Sequence, residues 1–139
     1  VATQALGASW AKELKKRLDA SPTFAAAAAG WSGSVIFSMG PDASAGASRR
    51  AVFLALEGGR CRTARPARET DWGTCDFILS ASPETWRHIL QGNGDPVTAI
   101  LFGQIRFERG RWSDLVPYAT AARELLRTAA GIDAVFRPS

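Results

Sequence analysis

"DPVTAILFGQIRFERGRWSDL", residues 95–115, is the stretch on which the reading of this chain turns. Asp95-Pro96 is a helix start: an aspartate caps free backbone N–H groups, and proline suits the first helical position. The short apolar run that follows is broken by Gly103. Beyond it Ile105 and Phe107 alternate with Gln104, Arg106 and Glu108, the two-residue period of a strand. A short helix therefore hands over to a strand within one apolar segment. Such a segment serves equally as plain core or as the wall of a cavity for an apolar guest, and composition leaves both readings open.

Outward from this segment the patterns are regular. "SPETWRHILQG" upstream carries the same start signal in Ser82-Pro83 and ends at Gly92, which predicts a helix. "TCDFILSA" before it sets Phe77 and Leu79 against Asp76 and Ile78, a strand. "RRAVFLALEGGRCRTARPA" predicts two strands turning at Gly58-Gly59, and "WSGSVIFSMG" another, with Val35, Phe37 and Met39 on one face. "PDASAGAS" between them is a small-residue loop. At the N-terminal end Leu6, Trp10, Leu14 and Leu18 form one stripe of an amphipathic helix. "SPTFAAAAAG" predicts a second, short helix whose alanines allow close approach. Downstream, Leu115, Tyr118, Ala122, Leu125, Leu126 and Ala129 keep helical spacing from Ser113 to Gly131. The order is helix, helix, four strands, two short helices, strand, long helix. Hairpin-length connections imply a largely antiparallel sheet with helices over one face, an α+β fold.

The chain has 139 residues, enough for one domain that buries about two-thirds of its unfolded surface. It contains 46% hydrophobic and 22% charged residues, ordinary for a globular protein and unlike a disordered or fibrous one. No run reaches the ~18 apolar residues of a membrane span, and the first residues do not have the pattern of a signal peptide. The chain starts at Val1, which is read as trimming or as a cut from a longer parent. The net charge of +4 permits attraction to anionic membranes or acidic ligands without requiring it.

Candidates for polar chemistry are few. Cys61 and Cys75 lack C-x-x-C spacing and His88 is the single histidine, which argues against a metal site. The preferred reading of the cysteines is reduced thiols in a cytosolic protein, with a cross-strand pair as the alternative. His88 lies on a helix beside apolar residues, and there is no G-x-S-x-G elbow to supply a nucleophile. Asp71, Asp76, Asp95, Glu108 and Asp114 each have a simpler role as cap, turn or strand-edge residue than as an acid–base pair. "GNGDP", residues 92–96, lacks the Lys-Ser/Thr tail of a phosphate loop and reads as a helix-to-helix turn. Arg60, Arg62, Arg65 and Arg68 form a basic stripe without the aromatics that stack bases, so a solvated sheet face is preferred and no nucleic acid is expected.

The segment from Cys75 to Leu126 resembles the sterol-transfer domains of the sterol carrier protein 2 family. The resemblance rests on "CDFILSASPETWRHILQG", then "GNGDPVTAILFGQIRFERG", then "WSDLVPYATAARELL", with "GWSGSVIFSM" and the "EGG" hairpin upstream. Gln104 stands where the family usually has lysine, and Arg111-Trp112-Ser113 replaces a small or polar turn; both departures bear on ligand identity more than on fold. The resemblance implies a five-stranded, largely antiparallel sheet covered by helices and enclosing an apolar tunnel, in one domain spanning residues 1–139. It implies carriage of a hydrophobic ligand such as a fatty acid, acyl-CoA or sterol, with no cofactor, no metal and no catalytic residue, in the cytoplasm. The expected wall residues are Phe37, Leu54, Phe77, Leu79, Trp86 and Leu90, with Ile100, Phe102, Phe107, Tyr118 and Leu125. Trp112, beside Arg109 and Arg111, is expected to gate the tunnel mouth or to make a transient membrane-surface contact. The alternative function is an enzyme, or an accessory domain of a larger enzyme, that holds an apolar substrate in the same cavity.

Overall fold

The computed structural model describes residues 3–40, 50–132 and 134–135; the expected small-residue loop at 41–48 lies outside them. In chain order the elements are β1 (Thr3–Gln4), α1 (Ala8–Asp19), α2 (Pro22–Ala27), β2 (Ser32–Met39), β3 (Arg50–Glu57) and β4 (Arg60–Pro66). Then come α3 (Glu69–Thr74), β5 (Phe77–Ala81), α4 (Pro83–Leu90), α5 (Pro96–Leu101) and β6 (Arg106–Arg109). The chain closes with α6 (Trp112–Leu115), a 3-10 turn (Val116–Tyr118), α7 (Ala119–Ala130) and β7 (Ala134–Val135).

The local signals act as their chemistry dictates. Ser21, Ser82 and Asp95 accept the backbone N–H of Phe24, Thr85 and Thr98 respectively, each at the head of a helix whose first residue is proline. Gly58 and Gly59 turn the β3–β4 hairpin with φ of 57° and 89°. At Gly59 a Cβ would come within 2.6 Å of the Ala25 carbonyl oxygen. The alanines of α2 thus seat that helix directly on the hairpin turn.

The main sheet has the order β4-β3-β2-β5-β6. Three neighbouring pairs are antiparallel, but β2 and β5 run parallel. The departure from pure antiparallel pairing comes from α3, which the apolar pattern does not announce because "ETDWGT" has no amphipathic stripe. It carries the chain from edge strand β4 across to the far side of β2, and parallel pairing of β5 with β2 is possible only through a crossover of that kind. A two-residue parallel pair between β1 and β7 is likewise absent from the sequence reading. The expected long helix from Ser113 to Gly131 is broken into α6, the 3-10 turn and α7. Pro117 is the reason: it has no N–H for the helix and its ring collides with the preceding turn.

One face of the sheet carries Val35, Phe37, Val52, Leu54, Phe77 and Leu79 against Trp10, Leu14, Phe24, Trp86 and Leu125 from the helices, in one buried cluster. The other face has a smaller cluster of Ile36, Cys75 and Ile78, with Phe53 and Trp72 packed against it. Strand β5 is therefore buried along its whole length. Asp19 accepts the Cys61 N–H at 3.0 Å and ties α1 to β4, while Arg17 donates to the Gly131 carbonyl at 3.0 Å and ties α1 to the end of α7.

Candidate functional site

An apolar cavity lies between the sheet and the last helices. Its floor is Val35 and Phe37 of β2 and Phe77 and Leu79 of β5. These residues are brought together by the parallel register, which pairs Val35 with Phe77 and Phe37 with Leu79 on one face. Its roof is Val97 and Ile100 of α5, Trp112 and Leu115 of α6, and Leu125 and Leu126 of α7. Trp31, Pro96, Ile105 and Ala122 complete the wall, and the lining is wholly apolar. The free volume is about 20 Å³, room for roughly one water molecule.

Five of the expected wall residues, Phe37, Phe77, Leu79, Ile100 and Leu125, meet at this cavity. The others do not line it. Leu54, Trp86 and Leu90 are buried in the surrounding core. Trp86 packs edge-on to Phe37 with ring centres 5.5 Å apart and donates its indole N–H to the Ser38 carbonyl at 2.9 Å. Phe107 sits one layer out, edge-on to Phe77 at 6.3 Å. Tyr118 stacks on Trp31 at 5.4 Å and braces it.

Phe102 does not line the cavity: it is 79% exposed, because it follows the last turn of α5, whose buried residues are Pro96, Val97 and Ala99. Gly103, at φ of 76°, then reverses the chain so that Ile105 returns to the wall. Trp112, expected to gate the tunnel mouth or to touch a membrane surface, is half-buried and forms part of the roof.

The expected wall did not include Trp31, Val35, Pro96, Val97, Ile105, Leu115, Ala122 or Leu126. The period-two alternation did set Val35 on the face of Phe37, and the Pro96 start signal did place Val97 one turn before Ile100. The helical spacing likewise set Leu115 on the face of Ala122 and Leu125, whereas Trp31 lies just before β2, where the strand period carries no directional information.

The polar candidates are accounted for by local structure. His88 is exposed, 3.1 Å from Glu84 on its own helix. Asp76 accepts the Ser34 N–H at 2.9 Å. Arg62 pairs with Glu57 at 2.6 Å, and Arg65 grips Asp71 with two hydrogen bonds, 2.5 and 3.1 Å, while lying over the Phe53 ring. Two members of the basic stripe are thus already committed. Cys61 and Cys75 are buried free thiols; burial, reinforced by the Asp19 charge, pushes the Cys61 thiol up to about 11. Among the described residues no three His, Cys, Asp or Glu side chains are grouped as a metal site requires, and no helix is long and apolar enough to cross a membrane.

The turn after α4 opens onto a second, more polar cleft of about 410 Å³. Gly92, Asn93, Gly94 and Asp95 form one wall, and Arg123 and Arg127 of α7 the other. Partial burial disfavours the charge on Asp95, but the Thr98 N–H and the Arg123 guanidinium outweigh it and hold the carboxyl below the usual range.

A mixed five-stranded sheet with helices closing one face over an apolar cavity defines an α+β domain whose interior, not its surface, is the distinctive feature. A crystal structure of sterol carrier protein 2 shares the fold, at TM-score 0.85 and 31% identity over 93% of this chain and 99% of that one. The chain belongs to the sterol carrier protein 2 family. A conserved Thermus thermophilus protein, a candidate sterol carrier, is similar over the whole of both chains, at TM-score 0.80 and 28% identity. The apo form of sterol carrier protein 2 from Yarrowia lipolytica, 14% identical over 86% of this chain and 88% of that one at TM-score 0.58, shares the fold. No family model and no curated protein matches the chain.

Proposed function

We propose that this chain is a single lipid-binding domain that carries a hydrophobic ligand, a fatty acyl chain or a sterol-like molecule, in the cavity between β2, β5, α5, α6 and α7. The observation that carries the reading is the wholly apolar lining of that cavity, in a member of a family named for sterol carriage. An apolar chain needs no polar partner: each buried methylene contributes about 0.8 kcal/mol.

A guest requires on the order of 300 Å³, the lower end for ligand pockets, so binding must enlarge the cavity. The wall that yields is the one made of the shortest elements. Helices α5 and α6 have six and four residues, and the strand between them, β6, has four and forms the sheet edge. Trp112 on α6 is the half-buried side chain that an entering ligand displaces. The floor, built on central strands, stays in place. Leu101 and Phe102, 64% and 79% exposed at the end of α5, form the apolar tip for a transient membrane-surface contact during loading. Two buried, free thiols are in keeping with a cytoplasmic setting.

The test is native mass spectrometry of freshly purified protein, followed by organic extraction and lipid analysis. A bound species of a few hundred daltons identified as lipid supports the reading. A mass that stays that of the bare chain after incubation with fatty acids and sterols removes it.

A further inference from the structure

The polar cleft and the apolar cavity are neighbours. Pro96 at the head of α5 and Leu126 on α7 line both. On the cavity side of this partition every lining residue is apolar. On the cleft side stand two arginines one helical turn apart on α7, Arg123 and Arg127, facing the glycine-rich turn. We infer that the cleft is the headgroup site of the carried molecule: the ligand is an amphiphile whose chain occupies the apolar cavity and whose anionic head lies between Arg123, Arg127 and the Gly92–Asp95 turn. The inference rests on the carrier reading and adds to it the place and the charge of the head.

Three observations support it. At about 410 Å³ the cleft is already within the size range of ligand pockets, whereas the apolar cavity must open. The head site is therefore preformed and the tail site is adaptive. Arg123 uses its Nε on Asp95, at 3.1 Å, and keeps the outer edge of its guanidinium available to an anion. Arg127 is 75% exposed and held to Glu124 only by a 3.3 Å contact, so an anion competes with a weak ion pair. Each arginine of the cleft has a carboxylate partner, Asp95 for Arg123 and Glu124 for Arg127, so a head is held there only where it carries charge enough to compete with them. A neutral head such as a hydroxyl cannot, so the site discriminates charged amphiphiles from alcohols.

The same logic predicts an effect in the opposite direction. Asp95 is both the cap of α5, through Thr98, and the competitor for Arg123. Asp95→Asn keeps a side chain able to cap and removes the competing charge, so it releases Arg123 for the ligand.

Dodecanoate, dodecanol and dodecanoyl-coenzyme A are titrated into the native protein, into Arg123→Gln/Arg127→Gln and into Asp95→Asn, with thermal melts confirming that each variant is folded. The double variant is expected to lose on the order of ten-fold in dodecanoate affinity, the sum of two partly exposed ion pairs, and to bind dodecanol unchanged. Asp95→Asn is expected to bind dodecanoate a few-fold tighter. Equal losses for acid and alcohol, or no loss for either, overturn the headgroup site and leave the carrier reading standing. Failure of the native protein to take up any of the three ligands overturns the carrier reading and this inference with it. A larger loss for dodecanoyl-coenzyme A than for dodecanoate assigns the site to a phosphate-bearing head; the reverse assigns it to a carboxylate.

Discussion

Val35→Phe separates a cavity from ordinary core. Val35 is buried at the floor, on the central strand β2, between β3 and β5. A side chain there cannot swing to solvent, as one on a helix at the rim can, and phenylalanine is as compatible with a strand as valine. The cavity has about 20 Å³ free, so the added ring must push the roof outward, as a ligand does. Overpacking of this kind costs about 1–3 kcal/mol of stability. It also removes the space of about two methylenes, and at about 0.8 kcal/mol each that is roughly 1.6 kcal/mol of binding, or about 15-fold in affinity. The assay is displacement of a fluorescent fatty acid by dodecanoate, alongside a thermal melt. Val35→Ala, which leaves the floor open, is the control and should bind at least as tightly as the native chain. A folded Val35→Phe protein with native affinity would refute the argument, since the guest would then lie elsewhere.

Two further outcomes follow from charge and burial. The Arg65 guanidinium, donating to both oxygens, and the Arg68 N–H hold the Asp71 carboxyl below the usual carboxylate range despite its burial. A depressed folded value means that this stabilisation is complete above the unfolded carboxylate value of about 4 and is lost as pH falls through the folded value. Asp71→Asn should therefore cost about 1.5–3 kcal/mol at neutral pH and progressively less in acid; urea melts at the two pH extremes check this, and a pH-independent difference would count against it. Burial pushes up both cysteine thiols, Cys61 to about 11. Ellman's reagent at mildly alkaline pH should accordingly leave both unmodified in the native protein and react with both in denaturant, while fast labelling of the native chain would contradict the packing of β4 and of the end of α3 against the sheet.

Much of the local structure is legible without coordinates. Ser21-Pro22, Ser82-Pro83 and Asp95-Pro96 announce helix starts because a cap and a proline answer a need of the nearest few residues: free N–H groups that must be satisfied. Gly58-Gly59 announces a hairpin because only that residue type takes positive φ without strain. The alternation of Val35, Phe37, Phe77, Leu79 and Phe107 sorts the two faces of the sheet, since a strand's period is two whatever it pairs with. The family likeness was legible as well, carried by "GNGDPVTAILFGQIRFERG".

The tertiary structure decided what depends on contacts between distant residues. The parallel pairing of β2 with β5 puts Val35 beside Phe77, 42 positions apart, and that pairing is set by where the crossover through α3 lands the chain. Pro117 divided the last helix, and so turned Leu115 and Trp112 into a separate piece of roof. Phe102 is as apolar as Ile100, yet only the direction in which α5 lies on α7 sends one ring to water and the other residue inward. Arg123 and Arg127 look like the solvent side of an amphipathic helix until the Gly92–Asp95 turn is laid opposite them. Hydrophobicity and capping act over a few residues and are written in order along the chain. Which apolar side chain borders a cavity, and which charge faces a cleft, is set only when elements far apart in sequence close on one another.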